Sequence, residues 1–258
     1  MPDTHTFLAG PGGVVAHNTT FVRALAAEID SDQERLVCCE DTPELRLDEV
    51  LPDVVALQAR PPNAEGEGEI TIRQLVRASL RMRPTRIIVG ESRGPEALDV
   101  LTALNTGHEG GLTTIHANSP RQALHKLITM AAAGPERLGI PAATRMVVQT
   151  VELVCFLEED RRTQRRAVTH IAELANQEGE VLLMNDLWTR TPPGAADTAG
   201  PPDPDGRPAP AGRLGWTGIV PRCLDKIRRH GVPYALPPAP GEARSVGPGG
   251  AGGVGASG

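Results

Sequence analysis

RIIVGESRGPEALDVLTALNTGHEGGLTTIHANSP, residues 86–120, carries the reading of the whole chain. Its first residues, Arg86-Ile87-Ile88-Val89, are a short β-branched run closed by Gly90, the pattern of a buried strand in a parallel sheet. Glu91 then stands at the strand's carboxyl end. Open α/β sheets bind ligands at that edge, where a carboxylate can orient a water or hold a metal-bound phosphate. Pro95 to Asn105 spaces its apolar residues as a helix with proline in the first turn, and Thr106-Gly107 ends it. A second run, Gly111 to Ala117, delivers His116, and Asn118-Ser119-Pro120 reads as a cap opening the next helix. Two strands thus bring Glu91 and His116 toward one sheet edge.

Taken singly, each residue has a plainer reading. A glutamate after an apolar strand is commonly a solvated strand end. His108 and His116 are of zinc-ligand type, but with no nearby cysteine pair their spacing matches no zinc pattern. The ordered combination is far more specific. It resembles the secretion ATPases of the type II and type IV secretion superfamily, most closely the CpaF- and TadA-like ATPases that drive tight-adherence pili. In that family IIVGE corresponds to an atypical Walker B with glycine in place of aspartate, and TGHxGxLTTIHANSP to the His box. The resemblance covers Thr19 to Leu187 and, more loosely, Gly215 to Gly231. It implies an α/β fold, a RecA-like P-loop NTPase core with a largely parallel sheet.

Composition fits around this. With 258 residues, 40% of them hydrophobic, the chain can bury one sizeable core. A net charge of −6 counts against nucleic acid as a partner. The sequence has no apolar run long enough to span a membrane, and the first residues are too polar for a signal peptide. Cys38, Cys39, Cys155 and Cys223 form no CxxC pair and read as buried thiols in a reducing cytoplasm.

The N-terminal stretch departs from the family. A P-loop reads GxxxxGK[ST], its amides cradling phosphates and its lysine reaching the β and γ groups. Thr19-Thr20-Phe21 and the helix FVRALAAEI match the segment after that lysine, while the Walker A glycines and the lysine are missing. In their place, His5-Thr6-Phe7-Leu8-Ala9-Gly10 and Gly13-Val14-Val15-Ala16-His17-Asn18 resemble the last two motifs of an intein. In splicing, the terminal asparagine cyclises and breaks the bond to a following Ser, Thr or Cys, with the preceding histidine assisting proton transfer. His17, Asn18 and Thr19 fill those positions and His5 fits the upstream intein histidine, so Asn18–Thr19 is the expected scissile bond. It falls where a GK|TT loop would be interrupted.

The resemblance nominates the remaining site residues. Arg35 to Cys39 is an apolar strand ending in Glu40-Asp41, which resembles the family's Asp box beside the γ-phosphate. Glu40 and Glu91 are both candidates to align the attacking water, and sequence does not rank them. Ile70 to Arg83 reads as an amphipathic helix whose basic face is, in the plainer reading, only solvated. In the family, arginines of this segment approach the phosphates, which nominates Arg60, Arg77 and Arg81. The resemblance also places Thr19, Thr20, Asp41 and His108 at the nucleotide, His116 among the catalytic groups, and Mg²⁺ at Thr19 and Glu91 through the nucleotide.

Helices are expected over 119–130 and 141–150, and strands over 151–157, 167–174 and 180–187, with Met146 and Met184 as core fillers. The expected organisation is an intein remnant at 1–18, a RecA-like domain at 19–190, a flexible Pro/Gly insertion at 191–213, a docking element at 214–235 and a disordered tail at 236–258. The resemblance implies an ATP- and Mg²⁺-dependent homo-hexamer, cytoplasmic and peripheral at the inner face of the cell membrane, acting on an inner-membrane platform protein. The family's N-terminal domain has no expected counterpart here, and two origins are open: a separately encoded intein-containing half joined in trans, as a further expected partner, or a start codon assigned inside the intein. Two classes stay open: the C-terminal part of a motor restored by splicing, and a catalytically dead subunit.

Overall fold

The computed structural model describes residues 19–29, 33–108, 110–160, 165–191, 212–229, 231 and 234–237, together with the backbone of two short strands, β1 (His5–Leu8) and β2 (Gly13–Val14). The reading of residues 192–211 as an insertion, and of 238–258 as a tail, falls outside these residues.

A parallel half-sheet forms from β3 (Leu36–Glu40), β4 (Val54–Gln58), β5 (Arg86–Val89) and β6 (Gly111–His116), in the order β4-β3-β5-β6. Cys38 stands opposite both Ala56 and Ile88, and Val89 opposite Thr113. β3 and β5 are buried along almost their whole length, as strands covered on both faces must be. β4 is the edge strand, only partly buried, and its VVALQ is not among the strands expected from sequence. The sheet continues antiparallel through β7 (Leu153–Asp160), β8 (Arg165–Glu178), β9 (Val181–Arg190) and β10 (Leu214–Trp216).

β1 lies between β6 and β7 and runs antiparallel to both, with His5 opposite His116 and Leu157. β2 pairs parallel with the first two residues of β6. Two backbone pieces of the 1–18 segment are therefore seated within the sheet.

Six helices complete the described fold: α1 (Thr19–Ala27), α2 (Ile72–Ser79), α3 (Glu96–Asn105), α4 (Pro120–Ala132), α5 (Ile140–Thr150) and α6 (Leu224–Arg229). The start of α2 is fixed by a capping box in which Thr71 and Gln74 satisfy each other's backbone N–H groups. It stops well before Arg83, which is left-handed at φ 55 and precedes Pro84, so the helix is shorter than its apolar period predicts. Ser119 caps α4 by accepting the Gln122 N–H, with Pro120 at its first position, as the sequence indicates.

Three apolar clusters hold the layers together. Ile72, Val76, Ile87, Val100 and Leu104 join α2 and α3 to one face of the parallel half. Val22, Leu36, Leu47 and Ile88 join α1 to the other. Leu101, Ile115, Leu127, Val147 and Leu182 join α3–α5 to the central and antiparallel strands, with Met146 and Met184 packed against them. Cys38, Cys39 and Cys155 are buried free thiols, while Cys223 is only half-buried.

Candidate functional site

The parallel pairing of β3 with β5 sets Glu40 beside Gly90, whose N–H donates to the Cys39 carbonyl. A Cβ added to Gly90 would stand 2.9 Å from Glu40 Cγ, a separation real Cβ atoms do not tolerate. The glycine in IIVGE is thus a packing requirement of the neighbouring glutamate. Glu40 itself is 6% exposed. Its Oε1 accepts the N–H groups of Glu44 and Leu45 at 3.1 and 3.0 Å, and the Cys38 thiol donates to its Oε2 at 3.5 Å. Those two amides tie the loop after β3 to its strand end.

Glu91 is held from both sides. His116 Nε2 stands 3.1 Å from its Oε1, and Arg93 Nη2 donates to its Oε2 at 2.5 Å. The hydrogen bond that Arg93 donates to Glu91 raises the Arg93 pKa, with the charges of Glu91, Asp41 and Glu44 adding to the effect. The segment carrying Glu91 is sewn to β6. The Thr114 hydroxyl donates to the Gly90 carbonyl at 2.5 Å, the Ser92 N–H donates to the Thr114 carbonyl at 2.8 Å, and the Ser92 and Thr113 hydroxyls meet at 2.8 Å. Glu96 accepts the N–H groups of Arg93 and Gly94, fixing the turn into α3. Lys126 of α4 donates to the His116 carbonyl at 2.7 Å.

A cleft of about 100 Å³ lies at this edge, lined by Thr19, Glu40, Asp41, Glu44, Glu91 and Arg93 among others. Thr19 Oγ1 donates to Glu44 Oε2 at 3.3 Å. A larger hollow of about 670 Å³ shares Glu91 and Arg93 with it and runs past His116 and along α4 to Lys126 and Met130.

The structure therefore brings together Thr19, Glu40, Asp41, Glu91 and His116 from the set predicted by sequence. Thr20 is one residue further along α1 and exposed. Arg60 lies in a neighbouring hollow shared with Asp41 and Arg93, its Nε donating to the Gly68 carbonyl at 2.7 Å. Arg77 is engaged elsewhere, paired with Asp99 at 2.7 Å and with Glu136 at 3.4 Å. Arg81 is exposed in the turn after α2. His108 precedes β6 and so sits at the opposite end of that strand from His116, its Nδ1 3.2 Å from the Ala103 carbonyl. Of the residues assigned to splicing, Thr19 lines the cleft and His5 contributes its backbone beside His116, while His17 and Asn18 fall outside the described residues.

Arg93 is the site residue that sequence reasoning passes over. Its signal was an arginine two residues beyond a strand-end carboxylate, in the turn before Pro95.

The donor set has a definite chemistry. Carboxylates of Glu40, Asp41 and Glu91 with the Thr19 hydroxyl are hard oxygen donors of the kind that suit Mg²⁺. Among the described residues no three His, Cys, Asp or Glu side chains are arranged to hold a bare metal ion. The phosphate half of a Mg-nucleotide does not fit. The cleft is far below the several hundred Å³ usual for an organic ligand. Among the described residues its one lining cation is Arg93, which is committed to Glu91.

Residues 2–182 match the protein family described as type II/IV secretion system protein. The chain belongs to that family. The matched span includes the segment whose motifs resemble an intein end. Among relatives, a putative conjugal transfer protein of Mycobacterium tuberculosis is 44% identical over 177 residues, 69% of this chain and 48% of the relative. The type IV secretion system protein PtlH of Bordetella pertussis is 41% identical over 157 residues, 59% of this chain and 45% of that protein. The chain thus spans about half the length of the curated relatives it matches. Its fold is similar to the crystal structure of the VirB11 ATPase from the Brucella suis type IV secretion system in complex with sulphate, with TM-score 0.52 and 31% identity. That likeness covers 59% of this chain and 44% of the VirB11 chain.

Proposed function

We propose that this chain is the C-terminal, catalytic-edge portion of a hexameric ATP-hydrolysing motor for type II/IV-type secretion or tight-adherence pilus assembly, made active when intein splicing joins Thr19 to a phosphate loop. The observation that carries the reading is Glu91 clamped between His116 and Arg93 at the carboxyl edge of the parallel half-sheet. At that place Glu91 orients a water, His116 fixes the carboxylate's direction, and Arg93 puts positive charge beside it. Glu40, with one oxygen tied to two amides, acts by holding the wall of the cleft, which ranks Glu91 ahead of it as the water-orienting group. ATP and Mg²⁺ are the cofactors of this reading. Arg60, Arg77 and Arg81 approach the phosphates, partly from a neighbouring subunit. The assembly works from the cytoplasmic face on an inner-membrane platform protein. Among the described residues, no helix is long and apolar enough to cross a membrane.

A second reading, a catalytically dead subunit that binds intact copies, is favoured by the poor fit of the cleft to triphosphate. Intact mass of the mature polypeptide, captured from its native cells, separates the two. A larger species whose peptides run from a Gly-Lys loop straight into Thr19-Thr20-Phe21 is expected. A species retaining His17-Asn18-Thr19 overturns splicing and leaves the dead subunit.

A further inference from the structure

A second polar cavity opens at the other edge of the sheet. Since β1 is antiparallel to both β6 and β7, β7 starts where β6 starts, away from His116. There a hollow of about 660 Å³ lies between the last turn of α5, the start of β7, the middle of β8 and the α6 segment, with Gln149, Glu152, Glu173, Arg222, Lys226 and Arg229 in its walls.

Glu173 is the anomaly in this wall. It is 3% exposed, and its Oε1 accepts the Arg222 N–H at 2.7 Å. Its Oε2 is buried with no hydrogen-bond partner, and the carboxylate makes no ion pair among the described residues. The cations around it are turned elsewhere. The Arg222 guanidinium donates to the Ala175 carbonyl, Lys226 Nζ stands 3.8 Å from Glu152 Oε1, and Arg229 Nε donates to the Asp225 carbonyl at 3.4 Å. A buried charged acceptor left without a partner is costly, and a water supplies a hydrogen bond without the missing charge.

The helix end beside it has the same preference. α5 finishes at this cavity with no basic residue in its last turn, so the negative pole of its dipole is uncompensated from its own sequence. Two independent features thus call for positive charge at one spot.

We propose that this cavity binds a guanidinium or primary ammonium group, seated on Glu173 Oε2 beneath the α5 terminus. The remainder of the ligand passes a wall of mixed charge, Lys226 and Arg229 with Glu152 and Asp225, which favours a basic group whose own chain carries an anion over a polyamine. Free L-arginine or L-lysine, and a basic side chain flanked by acidic residues in a polypeptide, share that chemistry. The site uses no residue of the Glu91 cleft and stands whether or not the chain turns over nucleotide.

Calorimetric titration of the full chain with L-arginine, with the peptide N-acetyl-Asp-Arg-Asp-amide and with spermidine tests this. Saturable binding of one of the first two, tighter than spermidine, is expected, and which of them binds tells a free amino acid from a polypeptide segment. Glu173→Gln keeps an acceptor for the Arg222 N–H but removes the charge, and should weaken binding about tenfold or more. Gln149→Trp, at the exposed mouth, should block binding with Glu173 intact, and decides the matter if the first variant fails to fold. Failure of both arginine and the peptide to saturate, as for a cavity holding only water, overturns the proposal. So does wild-type affinity in either variant, or tightest binding by spermidine.

Discussion

Glu40 occupies the space that any side chain on Gly90 would need, with its Cγ 2.9 Å from the position of an added Cβ. Strand pairing fixes both backbones, so neither residue can retreat without breaking the ladder between β3 and β5. Gly90→Ala should therefore destabilise the fold by about 1–3 kcal/mol, the usual cost of overpacking a filled site. Urea unfolding checks this, and a double-mutant cycle with Glu40→Ala identifies the cause. In the Glu40→Ala background the added methyl should cost almost nothing; an undiminished penalty would show that the clash lies elsewhere.

Glu40→Ala has its own consequence. It strips the acceptor from the Glu44 and Leu45 amides, and stability should fall by about 1–3 kcal/mol for the unsatisfied groups. Glu40→Gln, which keeps an Oε1 in place, should recover most of that loss. Thermal unfolding of the two variants side by side reads the difference.

Glu91 lies in a turn already sewn to β6 by other groups, so its carboxylate is dispensable for folding. Glu91→Gln should leave the unfolding midpoint nearly unchanged. In the spliced chain carrying a phosphate loop, the same substitution should lower ATP turnover by a factor on the order of 10²–10⁴, the range for loss of a positioned acid–base group. Wild-type turnover in that variant would remove Glu91 from the reaction.

Much of this site was legible before the structure, for identifiable reasons. Buried parallel strands read as apolar runs, so β3, β5 and β6 announced themselves, and each carries a candidate residue at its end or just past it: Glu40, Gly90-Glu91 and His116. Ser119 is a cap residue whose side chain does the expected work, while Thr71, expected inside its helix, turns out to cap it. What the sequence did not show depends on contacts between elements. Arg93 sits in a turn, where no period marks a residue and only its contact with Glu91 gives it a role. Arg77 had the right charge on the right helix, but its direction depends on Asp99 of α3, which sequence cannot place beside it. β4 is not assigned from sequence although Val54 to Leu57 is an apolar run; as the edge strand it has two of its five residues exposed. The reversed run of β1 depends on strand pairing across the whole chain, which local pattern does not encode.

Asp99 is the hub of a surface network in which Arg73 and Arg77 both approach it, and its side chain is only 10% exposed. Removing it leaves Arg73, itself 17% exposed, with Glu136 as its remaining carboxylate partner. Asp99→Ala should cost about 1–3 kcal/mol of stability. Arg77→Ala should change stability little, because that guanidinium is largely in water. This makes Arg77 a clean probe. A fall in turnover of the spliced motor without a fall in unfolding midpoint would assign Arg77 to a neighbouring subunit's nucleotide, and unchanged turnover would leave it a structural residue.

Burial pushes the Cys39 and Cys155 thiols up to about 12 from an ordinary value of 9.0, in Cys39 with help from the charge of Glu40. Above pH 9.0 the unfolded chain loses these protons while the folded chain keeps them, so the stability they contribute is complete below that pH and drains away up to about 12. Each thiol should steepen the loss by about 1.4 kcal/mol per pH unit within that window. Cys155→Ala is less stable at neutral pH, yet its alkaline slope should be shallower than wild type by that amount. Urea unfolding between about pH 8 and about pH 11 measures the slopes, and equal slopes would mean the thiol is not held protonated by its surroundings. A thiol reagent at about pH 8 gives the companion readout, with Cys223, the half-buried one, modified first and the other three reacting only on unfolding.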